Sequence, residues 1–162
     1  MISLSKRVDY ALIALAHLAE RPGRLAPARE IAEAYDLPLP LLMNLLKELH
    51  QNGLVRSLRG TKGGYELSVD PSAITLHDLI VMLEGPIQTT ECVESPAHNV
   101  IEFPLPAGAA CGCRASRLCP VQAPLKALND RLVGFLKQVK LSDIIYPGSR
   151  VDVPLERVGT GS

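Results

Sequence analysis

The sequence predicts a mainly α fold with one small β-hairpin, and three observations predict it. In the longer segments, apolar residues recur at steps of three and four, the period of a helix buried on one side. Only two short runs have strand character, and a glycine-rich tip, Arg59-Gly60-Thr61-Lys62-Gly63-Gly64, joins them. Prolines and glycines fall where helices begin and end rather than inside them.

Leu4, Val8, Ala11, Leu12, Leu15 and Leu18 form one apolar stripe, so a helix is expected from about Leu4 to Glu20 and stops at Arg21-Pro22-Gly23. A short helix over Ala28–Ala34 has Pro27 suited to its first turn. Asp36 to Pro40 holds two prolines and reads as a turn. The next helix runs from about Pro40 to Gln51 and closes on Asn52-Gly53, a C-cap pair. Its Leu42, Leu45, Leu46 and Leu49 face a core, while Met43, Asn44, Lys47, His50 and Gln51 lie on the other face. Strands are expected over Leu54–Leu58 and Tyr65–Val69, and Asp70-Pro71 breaks the sheet. Thr75-Leu76-His77-Asp78 resembles a capping box and opens a helix that ends near Glu84, before Gly85-Pro86.

From Ile87 to Leu118 no helical or strand period is found, and prolines recur. A last helix is expected from about Pro120 to Lys140. There Leu125, Leu128, Leu132, Phe135 and Val139 alternate three- and four-residue steps, the seam of a coiled-coil-like contact. The order helix, turn, helix, strand, basic tip, strand is that of a winged helix-turn-helix. The expected organisation is a winged helix-turn-helix DNA-binding domain over 1–85, a cysteine-bearing loop over 86–119, a long C-terminal dimerisation helix over 120–146 and a flexible tail over 147–162.

Composition narrows the function. At 162 residues the chain can bury one core but not that of a large α/β enzyme. Lys plus Arg and Asp plus Glu balance at 17 each, so it is neither a polycation nor an acidic tail. No apolar run is long enough to span a bilayer and the first residues lack a signal-peptide pattern, so no membrane partner and a cytoplasmic location are expected. In that compartment four cysteines point to metal or redox chemistry rather than a disulfide scaffold. No Ser–His–Asp pattern and no phosphate-binding glycine loop ahead of a helix is present, so the chain reads as a non-enzyme.

A helix-turn-helix offers its second helix to the major groove. Asn44 and Lys47 are the expected base readers on that helix. Arg59 and Lys62 on the wing tip can reach phosphates or the minor groove, and Lys6 and Arg7 at the start of the first helix can add phosphate contacts. Double-stranded DNA is therefore the expected partner.

Leu4-Ser5-Lys6, Asp9-Tyr10-Ala11-Leu12, Asn52-Gly53-Leu54-Val55, Arg59-Gly60 with Gly63-Gly64-Tyr65, and a cysteine-rich loop ahead of a long helix resemble the IscR/NsrR/RirA family of bacterial winged-helix regulators. The resemblance covers about Met1 to Ile145, and the wing carries it most specifically. It implies a homodimer that crosses long C-terminal helices, an iron–sulfur cluster that controls operator binding, and a minor-groove role for Arg59. Pro38-Leu39-Pro40-Leu41 departs from the small polar residues with which recognition helices of the family often begin.

The cysteines are Cys92, Cys111, Cys113 and Cys119, with no Cys-x-x-Cys pair of the zinc-ribbon kind. Soft thiolates suit iron–sulfur clusters. By the resemblance, Cys92, Cys113 and Cys119 are the thiolate ligands, since the last two have the five-residue separation of the family. Asp9 is the implied fourth ligand, from the other subunit, with Cys111 and His98 as rivals. A 2Fe-2S cluster is expected ahead of a 4Fe-4S one. His17 and His77 read as structural.

The expected function is a homodimeric transcription regulator, a repressor, whose operator binding follows an iron–sulfur cluster that senses redox state, nitric oxide or iron supply. A cluster-free regulator that senses oxidants through its thiols is the alternative, since Arg114 and Arg117 beside the later cysteines would favour thiolate. An iron–sulfur electron-transfer protein ranks lower, because it leaves the winged helix unexplained. A zinc site of three cysteines and His98 completes the set.

Overall fold

The computed structural model describes residues 4–60, 63–88, 119–146, 148 and 151. Helices α1 (Lys6–Ala19), α2 (Ala28–Ala34) and α3 (Leu39–Gln51) precede a hairpin of β1 (Val55–Leu58) and β2 (Gly64–Leu67). A 3-10 turn (Pro71–Ala73), α4 (Leu76–Glu84), α5 (Gln122–Gln138) and the short α6 (Ser142–Ile145) follow.

Local chemistry sets most of these boundaries. Ser5 caps α1 by accepting the Val8 amide, so Leu4 falls outside the helix and stays exposed. Helix α2 ends on Tyr35, and Asp36 then takes φ +52° while the Leu37 amide donates back to the Ala32 carbonyl at 2.9 Å. That is a Schellman closure with aspartate in the place glycine usually takes. The same closure ends α3, with Gly53 at φ +78°, Gly53 N–H donating to His50 and Leu54 N–H to Leu49. Leu54 is thereby spent on the cap, which is why β1 starts at Val55. The Thr75–Asp78 capping box of α4 is present, each side chain bonded to the other residue's amide at 3.1 Å.

The core gathers one face of each helix. Val8, Ala11, Ala14, Leu15 and Leu18 of α1 meet Leu42, Leu45, Leu46 and Leu49 of α3 and Leu76, Leu79, Ile80 and Leu83 of α4. The alanines of α1 carry no bulk, which lets its neighbours approach closely. The C-terminal segment joins the same core through Val139, Leu141 and Ile145. It is also stitched by backbone: Leu76 N–H donates to the Val139 carbonyl at 2.8 Å, and Leu141 N–H to Ile74 at 2.9 Å.

The hairpin is antiparallel, with Val55 opposite Leu67 and Leu58 opposite Gly64. Ala26, between α1 and α2, adds a one-residue rung on the far edge of β2 by exchanging two hydrogen bonds with Tyr65 at 2.8 and 2.9 Å. This rung lies far from the hairpin in sequence, and no local signal announces it. It ties the wing to the helix-turn-helix.

Candidate nucleic-acid interface and cysteine segment

Helix α3 buries Leu42, Leu45, Leu46 and Leu49 and turns Asn44 and Lys47 to solvent. Lys47, His50 and Gln51 line one wall of a cleft of about 360 Å³, and Ser57, Leu58 and Arg59 of the wing line the other. His50 Nδ1 lies 3.0 Å from the Val55 carbonyl, which as an N–H donor it would tie to β1. Of the sequence-predicted residues, the fold thus brings Asn44, Lys47 and Arg59 to one side of the molecule, with two cations across a cleft. Lys62 lies outside the described residues.

Lys6 is exposed at the start of α1. Arg7 beside it is engaged internally: Nη2 pairs with Glu48 of α3 at 2.6 Å, and Nη1 donates to the Leu83 carbonyl of α4 at 2.8 Å. It clasps three helices together rather than standing free for a phosphate. The C-terminal carbonyl of a helix welcomes a cation, which explains the second contact.

Arg56 carries no motif or periodicity that marks it in the sequence. Its Nε donates to Glu66 across the hairpin at 2.7 Å, and this pairing raises the guanidinium further above its ordinary range. Glu66 is buried, so the exposed arginine neutralises a carboxylate that the wing would otherwise bury alone. Only the pairing of the strands reveals this partnership.

His17 is 4% exposed, with Nδ1 3.4 Å from the Tyr35 hydroxyl and Nε2 3.4 Å from Glu30. Glu30 also pairs with Arg21 at 2.6 Å. His77 lies 3.4 Å from Asp78 within the first turn of α4. Both histidines hold positions inside the helical frame.

Cys119 is a free, half-buried thiol just ahead of α5, and its carbonyl accepts the Gln122 amide at 3.4 Å. Asp9 is exposed in the first turn of α1. Cys92, His98, Cys111 and Cys113 lie outside the described residues. Among the described residues no group of three or more His, Cys, Asp or Glu is gathered as a metal site, and no helix is long and apolar enough to cross a membrane.

A helix-turn-helix joined to a hairpin wing, with polar residues exposed on the second helix, is the architecture of winged-helix DNA-binding proteins. The model of the Rrf2 family, described as an iron-dependent transcriptional regulator, matches residues 4–147, and the chain belongs to that family. It is 33% identical over 153 residues to a protein of Aquifex aeolicus named as an HTH-type transcriptional regulator, covering 94% of this chain and 98% of the relative. It is 28% identical over 151 residues to the HTH-type transcriptional regulator IscR of Escherichia coli, covering 93% and 84%. Among solved structures it is similar to CymR, the global cysteine regulator of B. subtilis, with TM-score 0.62, 29% identity and coverage of 90% and 97%.

Proposed function

We propose that this transcription regulator is a homodimeric repressor whose operator affinity is set by an iron–sulfur cluster, with the domain division 1–85, 86–119, 120–146 and 147–162. The observation that carries the reading is the placement of Cys119: a free, partly accessible thiol at the head of the helix whose far end is stitched to α4. A soft thiolate there suits iron. The family's description as iron-dependent supports the same reading.

Cys92, Cys113 and Cys119 would hold the cluster, with Asp9 of a second copy as the exchangeable oxygen donor and Cys111 and His98 as rivals. A 2Fe-2S cluster is preferred to a 4Fe-4S one. When bound, such a cluster supplies iron–thiolate bonds that oxidants, nitric oxide or iron shortage can break. The chain's own residues then carry the consequence. Movement of Cys119 would displace α5, and the carbonyl of Val139, the C-cap of α5, holds the start of α4. The last turn of α4 accepts Arg7 at the Leu83 carbonyl, and Arg7 holds Glu48 of α3. Asn44 and Lys47 on α3 would read base edges, Arg59 and Lys62 the minor groove or phosphates, and Lys6 a phosphate. Arg7 enters this reading as a positioning residue.

The test is an absorption spectrum of protein purified without oxygen, with iron and sulfide assayed on the same sample. A brown protein with matching iron and sulfide supports the reading. A protein still colourless after anaerobic reconstitution overturns the cluster. It favours instead direct thiol sensing, a reading supported by the partly accessible Cys119.

A further inference from the structure

The outward face of α3 is not uniformly polar. Met43 is 50% exposed, an unbranched apolar side chain left in water in the middle of a helix whose other apolar residues from Leu42 to Leu49 are buried. Met43, Lys47, His50 and Gln51 fall at i, i+4, i+7 and i+8, one row along the helix. The last three line the cleft against the wing, so Met43 extends the same wall towards the helix N-terminus. Asn44 lies beside it.

A half-exposed thioether one helical turn from Lys47, on the helix face that carries the wall across the cleft from Arg59, is poorly matched to an apolar protein partner, because docking one would desolvate the cations. The duplex major groove offers what the row requires. Its rim is anionic, and the one apolar group on its base edges is the 5-methyl of thymine. Asparagine pairs with adenine N6 and N7, so Asn44 and Met43 are suited to neighbouring A·T pairs.

We propose that Met43 is a specificity-determining residue that reads a thymine methyl group in the operator half-site. This rests on the DNA-binding reading above and adds to it the kind of base recognised. The probe is the tightest duplex recovered by selection from random-sequence duplexes with the full chain. Each thymine is then replaced in turn by deoxyuridine, which removes the methyl and leaves every hydrogen-bonding group. At one position in each half-site the affinity should fall about fourfold, the effect of one buried methyl-sized group. Met43→Leu should keep that sensitivity. Met43→Gln, close in shape but polar, should bind the thymine and uracil duplexes equally.

A duplex insensitive to deoxyuridine at every position overturns the methyl reading alone, as does undiminished sensitivity in Met43→Gln. A selection that recovers no specific duplex overturns the DNA-binding reading and this inference with it. The deoxyuridine series can overturn the methyl reading without any variant, and Met43→Leu, which keeps the apolar character, shows whether a substitution at residue 43 leaves the chain folded and binding.

Discussion

Asp36 occupies a left-handed conformation that glycine adopts freely, and it does so at the turn that sets the angle between α2 and α3. A short polar side chain tolerates this geometry where a branched one would not, so Asp36→Val should destabilise the helix-turn-helix. Gly64 is constrained by space instead. A Cβ there would sit 2.6 Å from the Ala26 carbonyl carbon and 2.7 Å from its oxygen, inside the rung that ties the wing to the body. Gly64→Ala should cost about 1–3 kcal/mol in urea unfolding, the usual penalty for overpacking a closed contact. Thr75→Ala removes a cap and should cost about 1 kcal/mol. Burial pushes the Asp78 carboxyl up, but hydrogen bonds from Thr75 and the neighbouring His77 outweigh it, and the net shift is below the ordinary value of 3.8. A carboxyl lowered on folding stabilises the native state above its unfolded pKa, and that contribution disappears as the pH falls through the lower folded value. The native protein should therefore lose stability below about pH 4, and Asp78→Asn should flatten that part of the pH profile.

Among the described residues, α5 leaves part of its apolar seam in water. Val139 is buried and Leu125 and Leu132 are half-buried, but Leu128 is 54% exposed and Phe135 39%. Such a row would bury itself against a second copy of α5. Phe135→Glu together with Leu128→Glu should turn a dimer into a monomer in light scattering while far-ultraviolet circular dichroism stays unchanged; a dimer that survives both substitutions would place the contact elsewhere. The helical period was legible because it is a local pattern. Which residues of the seam were already covered by α4 was not, since that depends on where the strap from Val139 to Leu141 pairs with Ile74 and Leu76.

For the whole molecule, Arg7 distinguishes a phosphate ligand from a brace. Each lost phosphate contact lowers the salt slope of DNA affinity by about 1. Arg59→Ala should weaken binding and shallow that slope. Arg7→Ala should weaken binding through a displaced α3 and leave the slope as it is, with a lowered melting temperature. Cys119→Ser should abolish the visible spectrum of anaerobic protein without altering the winged helix, and Asp9→Ala should change how fast the colour is lost in air. If Asp9→Ala leaves both spectrum and reactivity unaltered, Asp9 leaves the ligand set.

Residue order along the chain is enough wherever short-range chemistry is in control. Helical period, proline entry, the Thr75–Asp78 box, the Asn52-Gly53 stop and the glycine wing are all read within a few residues of one another, and α2 and α4 fall where those signals place them. The tertiary structure alone decided the long-range pairings: Ala26 with Tyr65, the strap on the start of α4, Arg56 over buried Glu66, and Arg7 between Glu48 and Leu83. Charge and apolar character can be read from a residue's identity. Whether a cation faces a phosphate or a carboxylate, and whether a methionine faces a core or a groove, depends on which distant segment folds beside it.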